Sequence, residues 1–144
     1  MAKEIGMPVC YLCSSELSVE ELLSRAAHLS KGGDFVQLIC YSKELLPRIL
    51  PSYLNAVVRQ RDNIMRSDSV EKEMLLLMAG EMNVSKAIRS CGIRDNGNFI
   101  LFSTSEKLAE QMISAADVKS AKRVKLELDY DAAQEVAITP IRKD

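Results

Sequence analysis

The sequence predicts an α/β (α+β) protein with a small mixed sheet of about four strands and a helical block between strands two and three. Short runs rich in β-branched and aromatic residues alternate with helix-capping signals. The order reads β-α-β, a helical block, then β-α-β, and without the block this is a ferredoxin-like split pattern. Because we find no internal repeat and no linker, we expect a single domain over residues 1–144.

The first β-α-β pattern rests on local signals. Residues 8–13 have the composition of a strand, and Ser18 with Glu21 forms a capping box that starts a helix. The run Lys-Gly-Gly-Asp at residues 31–34 ends that helix, and residues 35–41 indicate a largely buried second strand.

The helical block spans about residues 44–91. Its first helix is expected to be interrupted near Pro47 and Pro51, because proline lacks the N–H that a helix interior uses. We expect the chain to restart at about Ser52 and to remain helical to about Met65.

Capping residues divide the rest of the block. Asp68 with Glu71 predicts a helix start, and Gly80 is placed for a left-handed C-cap. Asn83 predicts the cap of a short helix that ends at Gly92. The inward residues of this short helix are predicted to be Val84, Ala87, Ile88 and Cys91.

The last third repeats the β-α-β pattern. A turn at residues 95–97 leads into a third strand at residues 99–103, followed by a helix over residues 105–113. We expect strand four at residues 124–128 and a brief helix at residues 131–136.

Composition excludes several classes of protein. Apolar residues make up 47% and the net charge is −1, which excludes a histone-like polycation. With one histidine, a histidine-built metal site or catalytic triad is not expected, and we predict no cofactor. No apolar run approaches the roughly 20 residues that span a bilayer, so no membrane is expected as a partner. Four cysteines without a signal peptide indicate reduced thiols and a cytoplasmic protein.

Cys10 and Cys13 form a C-x-x-C motif. A redox dithiol requires a thiol whose pKa is lowered, commonly at a helix N-terminus. These two cysteines lie in or at the end of a strand, where positions three apart point to opposite faces. Buried thiols are therefore the favoured interpretation, and a thiol redox protein is the weaker one.

Two helices carry residues that are candidates for contact with a partner protein. Arg61 lies within an apolar arc of the helix at residues 52–65, so it either pairs internally or belongs to an intermolecular surface. Leu75 and Leu76 flank the inward stripe of the next helix. They indicate either a deeply buried helix or a hydrophobic partner-binding surface.

Positive charge is concentrated in the middle third, where residues 43–94 have a net charge of +3. The basic residues predicted there on polar faces or at a helix end are Arg59, Arg66, Lys86, Arg89 and Arg94. Such a set is either a solvated surface or a phosphate-binding one.

Residues 73–93 read EMLLLMAGEMNVSKAIRSCGI and resemble the signature of the PRPK-binding protein family, the small kinase-binding subunit of the KEOPS complex. In that family a Glu-led apolar helix and a break precede Ile/Val-x-x-Ala-Ile/Leu and a final Gly-Ile. The matching positions are Glu73, residues 74–79, Gly80, Val84, Ala87, Ile88, Gly92 and Ile93. The similarity covers about residues 35–102.

The resemblance implies a non-catalytic subunit of a complex that adds a threonylcarbamoyl group to tRNA adenosine. It implies that the protein binds and stimulates the small atypical kinase/ATPase subunit and docks the CCA-ending acceptor tail of tRNA. Leu75, Leu76 and Arg61 are then candidates for kinase contact, and Arg59, Arg66, Lys86, Arg89 and Arg94 for tRNA contact. The alternatives are a stand-alone RNA-binding module and, less favoured, a C-x-x-C redox protein.

Overall fold

A computed structural model describes residues 7–138. The elements are β1 (Val9–Ser15), α1 (Val19–Leu29), β2 (Val36–Cys40), α2 (Leu46–Arg61), α3 (Val70–Ala79), α4 (Val84–Cys91), β3 (Phe99–Ser103), α5 (Glu106–Ala115), β4 (Val118–Val124) and α6 (Tyr130–Ala137). Within the described residues they group into two compact units, one of residues 7–41 and 93–125 and one of residues 42–92 and 126–138. The predicted α+β class, with a helical block between strands two and three, is confirmed.

The sheet belongs to the first unit, which we call the sheet unit. Its strand order is β2-β3-β1-β4, and each neighbouring pair is antiparallel. This is the ferredoxin-like split arrangement predicted from element order. The expectation of a mixed sheet is wrong. β1 and β2 run in the same direction but do not pair with each other, because β3 lies between them and pairs antiparallel with both.

The core of the sheet unit lies between one sheet face and the two helices α1 and α5. Alternate strand residues point to this face, as the pleat requires. The principal buried members are Val9, Cys13, Leu38, Phe99 and Leu101 from the strands with Leu22, Ala26, Leu108 and Met112 from the helices.

Local signals set the helix starts in this unit. The Ser18 hydroxyl accepts a hydrogen bond from the Glu21 backbone N–H, and the Glu21 carboxylate accepts one from the Ser18 N–H, so the capping box is confirmed. Ser105, expected as the first residue of the next helix, is the N-cap of α5 and accepts from the Leu108 N–H. The third strand matches its predicted range of 99–103.

The predicted position of strand four, residues 124–128, is wrong. The strand is Val118–Val124, and its five central residues are exposed. A strand at the sheet edge with exposed polar residues lacks the apolar alternation that identifies strands in a sequence. The apolar alternation at residues 124, 126 and 128 therefore gave a false signal.

The second unit, the helical unit, begins with a single long helix. The predicted interruption near Pro47 and Pro51 is wrong, because α2 continues from Leu46 to Arg61. Pro47 lies in the first turn, where the missing N–H is not needed. Pro51 lies one turn later, where the helix continues, and the carbonyl of Pro51 accepts a hydrogen bond from the Asn55 side chain at 2.9 Å.

Most of the caps of α3 and α4 are the residues predicted from the sequence. Ser69 rather than Asp68 caps α3, because its hydroxyl accepts from the Lys72 N–H. Gly80 ends α3 with φ +66°, which confirms the left-handed C-cap. Asn83 caps α4 as predicted, and the predicted last helix is confirmed as α6.

Within the helical unit, α3 packs against α2 and α4, and α6 packs against α2. Residues 73–78 of α3 are all buried. A helix that is apolar on nearly all sides is stable in a protein interior. This central position explains the run Met-Leu-Leu-Leu-Met at residues 74–78.

Candidate functional site

The structure places Leu75 and Leu76 inside the protein. They expose 7% and 1% of their surface, so their side chains are not presented to a partner. The expectation of a leucine surface on this helix is wrong, and the alternative of a deeply buried helix is correct. The surplus of leucine reflects the central position of α3 in the helical unit.

A different apolar surface is exposed on α2. Leu54, Val57 and Val58 expose 42%, 38% and 40% of their surface. With Arg61 they follow the spacing i, i+3, i+4 and i+7, which places four side chains along one side of a helix. We call these four residues the α2 stripe. The opposite side of α2 is buried through Ile49, Ser52, Ala56 and Arg59.

Arg61 occupies the C-terminal end of the α2 stripe. Its side chain is 72% exposed, and its Nε lies 3.3 Å from Oδ1 of the adjacent Asp62. An exposed pair of this kind contributes little to stability. Arg61 thus forms the intrachain pair of the first interpretation, with Asp62, while its guanidinium remains exposed at the surface as the second interpretation requires. The apolar arc is shorter than expected, because α2 ends before Ile64 and Met65.

The sequence predicts Arg59 on an exposed polar face, but the structure does not place it there. It is only 4% exposed, and its Nη1 lies 3.1 Å from Oε2 of Glu73, which is fully buried. A guanidinium held in this way is not presented to a phosphate. The predicted contact of Arg59 with tRNA assumed an exposed side chain, and that assumption is wrong.

Glu73 organises the connection between α2 and α3. Its Oε1 accepts hydrogen bonds from the backbone N–H of Arg66 and of Ser67, each at 3.0 Å, and from the Ser67 hydroxyl at 2.9 Å. The other oxygen receives the Arg59 guanidinium. The glutamate that leads the sequence signature thus fixes a loop and a buried cation. Sequence reasoning missed this role, because no local pattern pairs residues fourteen apart.

The outer face of α4 combines positive charge with an apolar side chain. Lys86 and Arg89 are exposed, and Ile88, predicted to point inward, is 51% exposed. The inward side is supplied by Ala87 and Cys91. We call the exposed residues Lys86, Ile88 and Arg89 the α4 outer face; Lys86 and Arg89, three apart, are neighbours on it, and Ile88 lies on the far side of Arg89 from Lys86. Cations beside an exposed apolar group suit a strand with phosphates and unstacked bases.

The other two predicted basic residues are not part of this face. Arg66 is half-buried, and its backbone is held by Glu73. Arg94 is exposed but belongs to the sheet unit rather than the helical unit. The structure thus brings two of the five predicted cations, Lys86 and Arg89, onto one helix face.

Arg48 is a further residue that the sequence did not reveal. Its Nε donates to the carbonyl of Met78 at 2.8 Å and its Nη2 to that of Leu77 at 3.1 Å, near the C-terminus of α3. Its Nη1 also lies 2.7 Å from Oε2 of Glu135 in α6. Three helices of the unit that carries the α2 stripe are thereby joined through one side chain.

The two cysteines of the C-x-x-C motif are both buried within β1. Cys13 lies in the core beneath α1 and α5, whereas Cys10 is an odd number of residues away and points to the other sheet face. Burial raises the pKa of each thiol to about 12, from an ordinary value of 9.0. The thiols are therefore protonated at neutral pH, which disfavours the redox interpretation.

Metal and membrane binding can be assessed within residues 7–138. No group of His, Cys, Asp or Glu in this range is arranged to hold a metal ion. No helix in the same range has both the length and the apolar character needed to cross a bilayer.

Comparison with known proteins identifies the family. A family model described as kinase binding protein CGI-121 matches residues 41–143, which begin just after β2 and include the whole helical block. Comparison with curated proteins gives no match. The matched segment contains the α2 stripe, Glu73 and the α4 outer face. The resemblance found in the sequence is thus confirmed, and the chain belongs to the kinase binding protein CGI-121 family.

Proposed function

We propose that this protein is the non-catalytic regulatory subunit of the KEOPS complex, which binds and stimulates the small atypical kinase/ATPase subunit and docks the CCA-ending tail of tRNA. Membership of a kinase binding family supports the kinase partner. The observation that carries the proposal is the α2 stripe, an exposed row of apolar side chains within the matched segment.

The α2 stripe suits a protein partner for physical reasons. Its backbone is held in place because the opposite side of α2 packs within the protein, so little conformational entropy is lost on binding. Leu54, Val57 and Val58 supply apolar area, and Arg61 supplies a cation at the rim. Helix faces with this spacing dock into apolar grooves of partner proteins.

Stimulation of the kinase follows if the α2 stripe contacts its active conformation more tightly than its inactive one. A ligand shifts a conformational equilibrium only by this difference in affinity. The protein then needs no catalytic group of its own to raise the ATPase rate.

The kinase contact is tested by replacing Val58 with glutamate and titrating the variant against the purified kinase subunit. We expect the dissociation constant to rise about tenfold or more, since a charge enters the centre of an apolar contact. Gln60→Glu adds the same charge on an exposed position of α2 outside the stripe and is expected to bind normally.

Stimulated ATPase activity of the kinase is expected to fall in parallel for Val58→Glu and to be retained for Gln60→Glu. Unchanged affinity for a folded Val58→Glu variant, with an unaltered circular-dichroism melt, would contradict the assignment of the α2 stripe.

The α4 outer face is the proposed contact for the tRNA tail. Lys86 and Arg89 neutralise phosphates, and the side chain of Ile88 packs against an unstacked base. Because the whole chain has a net charge of −1, binding of isolated protein to tRNA is expected to be weak and salt-dependent.

This contact is tested by fluorescence anisotropy with tRNA that has or lacks the CCA end. Lys86→Ala combined with Arg89→Ala is expected to weaken binding and to lower the salt slope by about one for each lost phosphate contact. Lys43→Ala, which removes an exposed cation elsewhere in the helical unit, serves as the matched control. Equal binding of tRNA with and without the CCA end would overturn the tail-docking proposal.

A further inference from the structure

The outer edge of β4, which we call the β4 edge, is an open strand edge in the sheet unit. β4 pairs with β1 on one side, and no strand within residues 7–138 pairs with its other side. Its five central residues are exposed. An open strand edge presents unpaired backbone N–H and C=O groups, which form a template for an added strand.

Positive charge is concentrated along this edge. Four of residues 118–125 are basic and none is acidic; the four are Lys119, Lys122, Arg123 and Lys125. The charges lie on both sides of the strand. Arg123, opposite Tyr11 in the pairing, lies over the Tyr11 ring with its guanidinium carbon 5.9 Å from the ring centre. Lys122, opposite Leu12, points to the other sheet face.

The charge pattern selects among possible added strands. A second copy of the β4 edge would bring like charges together, which destabilises strand pairing. An extended segment with acidic side chains would instead place carboxylates beside Lys122 while its backbone continues the hydrogen-bond ladder. Charge complementarity therefore favours an acidic strand over self-association.

Two features favour a peptide over a nucleic acid. The cations occupy both faces of the strand, whereas a phosphate chain is bound by cations on one continuous surface. In addition, the carboxylate of Glu16 receives Lys119, and Oε2 of Glu106 lies 3.1 Å from Nη1 of Arg123. These intrachain pairs reduce the net charge of the β4 edge, so that the backbone of β4 forms the larger part of the proposed binding site.

We propose that the β4 edge binds an acidic, extended peptide segment of a partner protein by strand addition. This edge belongs to the sheet unit, whereas the α2 stripe and the α4 outer face belong to the helical unit. It therefore provides a second protein contact that does not depend on the kinase assignment.

The test uses the full chain and a fluorescent peptide that alternates glutamate and valine. We expect binding to weaken about tenfold for Lys122→Glu, because an attractive cross-strand pair becomes repulsive. Lys31→Glu, which changes an exposed lysine before β2 at the opposite sheet edge, is expected to bind like the unmodified protein.

Two further probes separate the mechanisms. The same peptide with N-methylated backbone amides cannot form the ladder, and we expect its binding to be lost. Amide hydrogen exchange is expected to slow for alternate residues of β4 when the acidic peptide is bound. A single-stranded RNA of matched charge serves as the competing ligand.

The proposal is overturned if the acidic peptide does not bind, if the N-methylated peptide binds equally well, or if the RNA alone changes the exchange of β4. Tighter binding of an otherwise identical lysine-containing peptide would also contradict it. Loss of binding in Lys122→Glu counts in its favour only when the melting temperature of that variant is unchanged.

Discussion

The buried contact between Arg59 and Glu73 makes a strong prediction about stability. Replacing Arg59 with methionine keeps much of the side-chain volume but removes the cation. Glu73 would then remain fully buried, with Oε2 deprived of the guanidinium at 3.1 Å. Breaking one partner of a buried ion pair leaves an uncompensated charge and costs about 3–5 kcal/mol. The free energy of unfolding is expected to fall by about that amount.

A second substitution isolates the electrostatic part of this cost. In Glu73→Gln the amide oxygen can still accept from the backbone N–H groups of Arg66 and Ser67, but the negative charge is gone. Combined with Arg59→Met, this change removes both buried charges. We therefore expect the double variant to be more stable than Arg59→Met alone, with a coupling of about 1–3 kcal/mol.

Urea denaturation followed by circular dichroism measures all four members of this cycle. The m-value should stay constant if only stability changes. A cost below about 1 kcal/mol for Arg59→Met, as found for exposed ion pairs, would refute the buried-pair reasoning. A double variant that is merely additive would show that the two side chains do not depend on each other.

Three other predictions concern Arg48 and the cysteines. Arg48→Met is expected to lower the free energy of unfolding by about 1–3 kcal/mol, because it removes the hydrogen-bond donors to the last carbonyls of α3. Thermal denaturation measures this loss of stability, and Lys43→Met is the control. Cys10 and Cys13 are expected to react more slowly with a thiol reagent than the half-buried Cys40, and rapid labelling of all three in folded protein would contradict this. Because folding raises the pKa of Cys10 and Cys13 from 9.0 to about 12, the unfolded thiols ionise first, and the stability they contribute is lost as the pH rises from 9 towards 12.

Elements with strong local signals were predictable from the sequence. The capping box at Ser18 and Glu21, the cap at Asn83 and the left-handed glycine at Gly80 depend on hydrogen bonds within a few residues. The apolar run at residues 99–103 identifies a strand that is buried along its whole length. The ferredoxin-like order follows from the sequence of these elements.

Features set by tertiary packing were not predictable. Pro51 suggested a break, but α2 continues through it and packs against α3. Arg59 was expected on a polar face because its helix position alone does not reveal Glu73 in the next helix. Leu75 and Leu76 could be interpreted either as a surface or as a core, and only the packing around α3 decides between them.

The site was therefore predicted in part. The sequence offers Arg61 as part of a possible surface and predicts Lys86 and Arg89 as outward cations, but it does not predict the exposure of the apolar residues of α2. Ile88 was assigned to the wrong side of its helix, because a short helix with few apolar residues gives a weak periodic signal. The basic edge formed by β4 was missed, because the strand itself was placed too late in the chain.

Methyl-group NMR of the protein during titration with the small kinase subunit reports on burial of the α2 stripe residue by residue. We predict that the methyl signals of Leu54, Val57 and Val58 shift or broaden as the kinase buries them, while that of the exposed Ile138 remains unchanged. Perturbation of Ile138 with no change at Leu54, Val57 and Val58 would contradict the account.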